Sequence, residues 1–230
     1  MQFCMESLKT IATIKSDFTT KFGIPRQSGL SAAQLSTIVF EPEYRDENAL
    51  RGLDGYSHIW LIWGFSEVKA EKWSPMVKPP RLGGNKRMGV FATRSPFRPN
   101  PIGLSSVKLE RIEKRPNLGT VLIVSGADLM DGTPIYDIKP YLSFTDSHPD
   151  AKNGFAGEKL DYSLKVEFPD DLLSVIPAAK REALIESLSQ DPRPAYLTEP
   201  DMPFGFEYAG FDVRFKVKDG ILRVYEIEKL

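Results

Sequence analysis

Residues Ser105–Ile112 read SSVKLERI, and apolar and polar side chains alternate along them. Val107 and Leu109 fall on one side, and the polar side chains between them fall on the other. Because successive side chains of a β-strand point to opposite faces, this pattern predicts a strand with one buried and one exposed face.

Short apolar runs on both sides of this segment predict further strands. His58–Trp63 (HIWLIW) is apolar enough for a strand buried on both faces, and His58 is expected to be a hydrogen-bonded core residue. The other predicted strands are Thr37–Phe40, Met88–Thr93, Thr120–Val124 and Leu164–Phe168. Many short strands without alternating helices favour an antiparallel barrel or sandwich over a doubly wound parallel sheet.

The pattern changes near Pro177. Pro177–Gln190 predicts a helix, because proline suits a first helical position and apolar side chains share one face: Ala179, Leu184, Ile185 and Leu188. Asp191-Pro192 ends it, and an Asp-Gly turn then joins two predicted strands, Phe211–Lys216 and Ile221–Ile227. We therefore predict two domains, a β-barrel over residues 1–168 and a small α+β unit of one helix and a hairpin over residues 169–230.

The composition and the absence of certain motifs exclude several classes of protein. The chain has 230 residues, 41% hydrophobic and 27% charged, as in an ordinary globular protein. One cysteine and two histidines provide neither a disulfide nor a Cys/His metal cluster, so we expect no metal. GxGxxG and Walker A loops are absent, and no apolar run reaches the length of about 18 residues that a membrane helix needs. The expected location is the cytoplasm, without a membrane or targeting segment.

Charge is concentrated in one window. Lys78–Leu104 contains six basic residues and no acid, whereas the whole chain has a net charge of -1, which indicates a local anionic partner. Prolines bias Arg98 and Asn100 toward extended backbone, so they should project together, joined by Arg94 if the extension continues. Such a group suits a carboxylate or phosphate. Alternatively, these arginines pair with acids such as Glu110 or Asp128 and tie loops together.

Two further segments mix charged and aromatic residues. Ala127–Tyr141 (ADLMDGTPIYDIKPY) would suit a purine or a cationic ligand, or it is an acidic turn beside a strand. Gln190–Tyr196 (QDPRPAY) could reach an RNA backbone or base through its arginine and tyrosine, or it packs between the two units.

Several long motifs resemble those of one family. GVFATRSPFRPNPIGLS at Gly89–Ser105, preceded by PPRLGGNKRM, is similar to the signature of the TsaA-like (YaeB-like) family. PRQSGL at Pro25–Leu30, RGLDGYSHIWLI at Arg51–Ile62, DGTPIYDIKPY and QDPRPAY extend the similarity over nearly the whole chain, as in full-length bacterial TrmO-type tRNA methyltransferases. The resemblance implies a single-sheeted antiparallel β-barrel with a C-terminal domain, usually a homodimer, that binds S-adenosylmethionine. It also implies that threonylcarbamoyladenosine at tRNA position 37, in the anticodon loop, receives a methyl group on its exocyclic nitrogen.

The resemblance also implies a cofactor site. Its residues would be Pro25, Arg26, Gln27, Ser66, Glu67, Arg94, Leu104, Asp128, Leu129, Met130 and Asp131, with Ser66 standing where several relatives carry a histidine. We hypothesise that Asp131 is the base. The carbamoyl group on the attacking nitrogen should make that nitrogen more acidic, so an oriented carboxylate would suffice to accept its proton. From charge and spacing, Arg98 with Asn100 would bind the threonine carboxylate, and the anticodon loop would contact Arg87, Lys139, Arg193 and Tyr196. Two alternatives remain, a non-catalytic RNA-binding barrel and a methyltransferase acting on a different acceptor.

Overall fold

A computed structural model describes residues 8–68, 73–79, 86–159, 162–193, 197, 199 and 201–230. The strands are β1 Ala12–Lys15, β2 Leu35–Phe40, β3 His58–Gly64, β4 Met76–Val77, β5 Met88–Gly89, β6 Ile102–Arg115, β7 Gly119–Ser125, β8 Pro134–Pro140, β9 Lys165–Glu167, β10 Phe204–Tyr208, β11 Phe211–Lys218 and β12 Ile221–Lys229. The α-helices are α1 Ser143–Asp146, α2 Asp170–Val175 and α3 Ala178–Ser189. Short 3-10 helices span Pro42–Tyr44, Glu47–Leu50, Leu53–Gly55, Val90–Ala92 and Gly154–Lys159. The prediction of a mainly β chain with a helical minority is confirmed.

Six strands form a large antiparallel sheet whose order closes on itself. The hydrogen-bonded order is β1-β2-β7-β6-β3-β8, and β8 pairs back with β1 through Ala12–Ile135 and Thr13–Pro134. We call this sheet the six-stranded ring. Each of the six strands therefore has a hydrogen-bonded neighbour on both sides, although β1 and β8 pair over two residues only.

Alternating side chains fill the ring. Ile59 of β3 lies opposite Val107 of β6, and both are buried. The buried cluster inside the ring, which we call the first core, contains Ala12, Ile14, Ile38, Phe40, Ile59, Leu61, Trp63, Val107, Leu109, Leu122, Val124, Ala127, Leu129 and Ile135. The predicted inward positions of Val107 and Leu109 are therefore confirmed.

The C-terminal residues build a second sheet with its own core. Its strand order is β10-β11-β12-β9, and the buried side of α3, with Leu184 and Leu188, belongs to this second core. The turn between β11 and β12 uses Asp219 and Gly220, both with positive φ (50° and 76°), as a two-residue hairpin turn requires.

Residues 16–34, between β1 and β2, connect the two cores, and we call them the bridging segment. Phe18 is fully buried in the second core, with its ring centroid 5.3 Å from that of Tyr208. Glu186 of α3 accepts hydrogen bonds from Ser31 Oγ (2.9 Å) and from the Ala33 N–H (3.0 Å). The segment leaves the ring, packs on the second unit and returns.

Most predicted elements are present within a few residues of their expected bounds. β2, β3, β6, β7, β9, β11, β12 and α3 each contain or closely overlap a predicted element. β9 pairs in parallel with β12 of the second sheet, although the prediction placed its residues before the boundary at 168/169. That boundary stays a prediction.

Four predictions about local structure are wrong. β3 alternates between fully and half-buried side chains instead of being buried on both faces, and His58 is a half-buried outer residue beside Ser57, with 2.9 Å between Ser57 Oγ and His58 Nδ1. Met88–Thr93 is a strand only at its first two residues, because Val90–Ala92 curls into a 3-10 helix. On α3, Ala179 is exposed and Ile185 only half-buried, since Ala183 and Ser187 complete the buried face.

Candidate functional site

Strand register places four chain segments at one end of the six-stranded ring. The pairs at this end are Lys15–Thr37, Leu35–Ser125, Gly64–Ile102 and Trp63–Ile135. The loops that follow β1, β3 and β7, and the loop before β6, therefore leave the ring at the same end. The residues predicted to bind a cofactor all belong to these loops or to the start of β6.

Asp128 is a partly desolvated carboxyl group at this end. It is half-buried, and Ser105 Oγ donates to its Oδ1 at 2.6 Å. Ser105 is itself buried and accepts a hydrogen bond from Trp63 Nε1 (3.0 Å). Burial raises the pKa of Asp128, and the Ser105 hydroxyl, the Ser28 N–H and the Arg94 charge only partly offset that effect. Partly buried carboxyl groups with a raised pKa are found more often at functional sites than elsewhere, and Asp128 lies in the loop that follows β7.

A glycine lets Trp63 reach this position. A Cβ placed on Gly103 would lie 2.2 Å from the indole of Trp63, so only glycine leaves room for the ring. The indole packs in the first core and holds Ser105, and Ser105 orients Asp128.

Arg94 joins the basic segment to the PRQSGL motif. Its Nη1 donates to Gln27 Oε1 at 2.7 Å, and Gln27 Nε2 donates to the backbone carbonyl of Arg26 at 2.6 Å. The Arg94 charge also acts on the Asp128 carboxyl. The hydrogen bond of this exposed arginine to Gln27 favours the loop-tying interpretation for Arg94, while binding of an external anion stays a prediction.

The Asp131 carboxylate is held by the end of β1. Its Oδ1 accepts from the Ser16 N–H (3.0 Å), and its Oδ2 lies 3.6 Å from Lys15 Nζ. The backbone N–H of Asp131 donates to the carbonyl of Phe18 (2.8 Å), so the bridging segment fixes this loop.

The remaining predicted cofactor residues differ in what they can offer. Leu129 is buried in the first core, so only its backbone could face a ligand, and Pro25 is also buried. Met130 is half-buried, Ser66 and Glu67 are exposed in the turn after β3, and Leu104 is 52% exposed. Among the described residues, no group of three or more His, Cys, Asp or Glu could hold a metal ion. No described helix is long and apolar enough to span a membrane.

Comparisons with known proteins identify the family. A family model for the tRNA-methyltransferase O (TrmO) N-terminal domain matches residues 13–147, and the TrmO C-terminal domain model matches residues 161–230. This chain belongs to the TrmO family. It is 39% identical over 226 residues, 95% of this chain and 96% of the relative, to the tRNA (adenine(37)-N6)-methyltransferase of Escherichia coli K12.

Two further similar proteins come from Pseudomonas aeruginosa. The chain is 39% identical to the putative S-adenosylmethionine-dependent methyltransferase RcsF, over 96% of this chain and 97% of that protein. A crystal structure of TrmO superposes with a TM-score of 0.77 and 34% identity, covering 97% of this chain and 98% of that chain.

The residues expected to hold RNA in this TrmO-family chain do not form one cluster. Arg98 folds back so that its Nη1 donates to the carbonyl of Thr93 (3.1 Å), while Arg87 and Asn100 are exposed in the same loop region. Lys139 lies on β8 opposite Trp60 and pairs with Asp137 (2.8 Å), away from the loops. Tyr196 lies outside the described residues.

Arg193 has a different environment from that expected for an RNA contact. Its guanidinium forms two hydrogen bonds with the Asp191 carboxylate (2.8 and 2.9 Å), and its side chain is only 13% exposed. This geometry favours the alternative interpretation of QDPRPAY, packing between the two units.

Sequence reasoning missed the residues that support the site. Ser105, Trp63, Ser16 and Ser28 orient Asp128 and Asp131 but were not among the candidates. One signal was available for Ser105, because the alternation in SSVKLERI puts it on the inward side with Val107 and Leu109. A polar residue at an inward position usually hydrogen-bonds to a specific partner.

Several large apolar side chains are exposed between β3 and β6 and at the start of β6. Phe91 is 73% exposed and stacks on Trp73 with 6.3 Å between ring centroids, and others with substantial exposure are Met76, Phe97, Ile102 and Leu104. We call these six residues the apolar patch. Exposed apolar side chains that adjoin one another, as Phe91 and Trp73 do, indicate an interaction site.

Proposed function

We propose that this protein is an S-adenosylmethionine-dependent tRNA (adenine(37)-N6)-methyltransferase whose substrate is threonylcarbamoyladenosine at position 37. The observation that carries the proposal is the half-buried Asp128 carboxyl at the loop end of the six-stranded ring, beside the Arg94–Gln27 hydrogen bond. The E. coli relative, 39% identical over 95% of the chain, is named for this reaction, and the P. aeruginosa relative is named for the cofactor.

The residues at this end fit the cofactor chemically. The cofactor supplies a methyl group bonded to a positively charged sulfur, and it also carries an ammonium group. Asp128 offers a negative charge in a partly desolvated place, where its attraction for a cation is stronger than in water. The exposed Leu104 offers apolar surface, and the backbone of Leu129 and Met130 can offer hydrogen bonds to a base.

Methyl transfer of this type depends on alignment more than on a strong nucleophile. Holding the acceptor nitrogen, the methyl carbon and the departing sulfur in line can account for much of the rate. The acceptor nitrogen must also lose a proton, and we assign Asp131 as its acceptor. Because Ser16 and Lys15 hold this carboxylate in place, it can accept a proton without first reorienting.

Arg98 is the proposed partner of the substrate's threonine carboxylate, with Asn100 beside it. Arg98→Ala should raise the KM for threonylcarbamoylated tRNA about tenfold, because it removes a charge-assisted hydrogen bond at the substrate. Steady-state kinetics with purified modified tRNA measure this effect. Arg51→Ala, at an exposed arginine on the connection between β2 and β3, is the matched control and should leave KM unchanged. An unchanged KM for Arg98→Ala would remove this residue from the substrate site.

Arg87, Lys139 and Tyr196 remain the proposed contacts of the anticodon loop. Lys139 and Asp137 are both substantially exposed, so their ion pair is weak enough for a phosphate to compete with it. An enzyme that modifies tRNA must be located where tRNA is present, and the expected cytoplasmic location meets this condition.

A homodimer that covers the apolar patch is part of this proposal. Phe91→Glu should convert the dimer into a monomer, because a charge would have to be buried at the interface. Light scattering after size-exclusion chromatography measures the mass. The control is Phe144→Glu on α1, whose ring is 86% exposed and lies outside the patch. A dimer that survives Phe91→Glu, or a wild-type monomer, would contradict this assembly.

One experiment separates the proposed activity from its alternatives. The protein is incubated with S-adenosylmethionine and tRNA that carries threonylcarbamoyladenosine, and the digested nucleosides are analysed by mass spectrometry. A mass gain of one methyl group on that nucleoside alone is the expected result. A methyl group on another nucleoside would indicate a different acceptor. Binding of tRNA without cofactor binding by calorimetry would indicate a non-catalytic RNA-binding protein.

A further inference from the structure

A residue with a left-handed backbone conformation follows helix α3. Asp191 comes directly after the C-cap Gln190 and has a φ of 54°, in the left-handed region. Glycine is the usual residue at this position, and aspartate and asparagine tolerate it because their short polar side chains can hydrogen-bond locally.

The carboxylate of Asp191 is fully engaged. Its two oxygens accept the paired hydrogen bonds from Arg193, and Tyr162 Oη donates to Oδ2 at 2.8 Å. Burial alone would raise the pKa of Asp191, but the hydrogen bonds from Arg193 and Tyr162 outweigh it and lower the pKa. The planar fork of the guanidinium therefore fixes the backbone of residues 191–193.

This fixed loop presents two carbonyl groups to the PRQSGL motif. Arg26 Nη2 donates to the backbone carbonyls of Asp191 and of Arg193, each at 3.1 Å. Both acceptors belong to the second unit, whereas Arg26 lies in the bridging segment. The correct spacing of the two carbonyls depends on the Asp191–Arg193 pair that closes the loop.

From Arg26 the contacts continue into the proposed cofactor site. The carbonyl of Arg26 holds the amide of Gln27, and Gln27 holds Arg94, whose charge acts on Asp128. Three hydrogen-bonded steps, from residues 191 and 193 to Arg26, Gln27 and Arg94, and then the charge of Arg94 thus link the end of α3 to the carboxyl that we propose faces the cofactor.

We propose that Asp191 and Arg193 are positioning residues that hold the PRQSGL motif in its cofactor-binding conformation through Arg26. The assignment rests on the proposed function, since it needs the cofactor to lie against Gln27, Arg94 and Asp128. If Arg193 has this role, replacing it should lower the affinity for the cofactor even when no RNA is present. If Arg193 instead contacts an RNA phosphate, replacing it should lower only the affinity for RNA.

The test uses the full-length protein and S-adenosylmethionine alone, measured by calorimetry without tRNA. Arg193→Ala and Arg193→Lys should each weaken cofactor binding about tenfold, within the usual range for coupling between linked sites. Lysine keeps the charge but lacks the planar fork, so it cannot replace both hydrogen bonds. A phosphate contact, in contrast, would tolerate lysine, and cofactor binding would be unchanged.

A matched ion pair in the same unit provides the control. Asp212 and Arg214 have the same spacing along the chain and a hydrogen bond of the same length (2.8 Å), on the outer side of β11. Arg214→Ala should leave cofactor affinity at the wild-type value. Melting curves of all variants show whether a loss of affinity comes from unfolding.

The outcomes separate this inference from the proposed function. If the wild-type protein binds no S-adenosylmethionine, the proposed function fails. If the wild-type protein binds it and Arg26→Ala or Arg193→Lys binds equally well, the cofactor site stands and the positioning role is wrong. A rise in the KM for tRNA with unchanged cofactor affinity would likewise overturn the inference in favour of an RNA contact.

Discussion

Asp128→Asn should weaken binding of S-adenosylmethionine about 100-fold, which is typical for removing one partner of a buried charge pair. The reason is that asparagine keeps the shape of the side chain and can still accept from Ser105 Oγ, but it has no negative charge to oppose the sulfonium and ammonium groups. Calorimetry on the purified protein measures the change. Asp150→Asn removes an exposed carboxylate in a turn and is the matched control, expected to bind like the wild type.

The same substitution should not destabilise the free protein. Burial raises the pKa of Asp128, so the folded state favours its neutral form, and the stability that this provides is lost as pH rises through that pKa. At neutral pH the charged carboxylate therefore opposes folding, and Asp128→Asn should melt at the same or a higher temperature. Lower melting together with weak binding would point to misfolding, and unchanged affinity would remove Asp128 from the cofactor site.

Cofactor affinity should also depend on pH through this group. Below its raised pKa, Asp128 is neutral and attracts a cation poorly, so affinity should fall as the solution is acidified through that value. The loss should begin at a higher pH than for an ordinary aspartate. Asp128→Asn should lack this step, and calorimetric titrations of both proteins over a pH series measure it.

The sequence predicted the strands that carry regular alternation. β6 was found because inward and outward positions differ in polarity along SSVKLERI, β7 because Thr120–Val124 is a short run of β-branched and apolar residues, and α3 because good helix formers follow a proline. β8 was missed, since its DGTPIYDIKPY sequence has half-buried polar residues and prolines at both ends, which resemble a turn. β1 and β10 were missed because each is short and derives its stability from its neighbours in the sheet.

The site could be predicted only in outline. Long motifs indicated which loops matter, and strand register brings those loops to one end of the ring. The partners of each side chain could not be predicted, because they are distant in the sequence: Gln27 meets Arg94, and Arg26 meets residues 191 and 193. Arg193 was expected to be available to RNA, but a local pairing with Asp191 uses its charge. The spacing of the two residues in the sequence does not show whether Arg193 pairs with Asp191 or remains exposed.

The bridging segment is the element on which both units depend. It contributes Ser16 and Phe18 backbone contacts to the Asp131 loop, and Gly29 donates to the carbonyl of Gly126 beside Asp128. Its side chains meanwhile pack into the second core and pair with α3, as in the ion pair between Asp17 and Lys180. A change in the packing of the second core is therefore expected to reach the cofactor loops through this segment.

Phe18→Ala tests that coupling and should lower the free energy of unfolding by about 3–5 kcal/mol, the usual cost of emptying a fully buried phenylalanine site. The cavity would open against Tyr208, in the core of the second unit. The backbone of residue 18 would then be less restrained, and its carbonyl is the acceptor for the Asp131 N–H. We expect weaker cofactor binding even at temperatures where the variant is fully folded. Urea titration measures stability, and calorimetry on the folded variant measures binding.

Two further variants decide how this result is understood. Phe144→Ala removes an almost fully exposed ring and should change stability by no more than about 0.5 kcal/mol, so it controls for loss of a phenylalanine as such. Leu222→Ala empties the second core at a β12 residue that lies outside the bridging segment. If Leu222→Ala destabilises the protein as much as Phe18→Ala but leaves cofactor affinity intact, the bridging segment transmits the effect. Equal losses of affinity in both variants would instead mean that general loosening of the second unit disturbs the site, and unchanged affinity in both would mean that the two units are energetically independent.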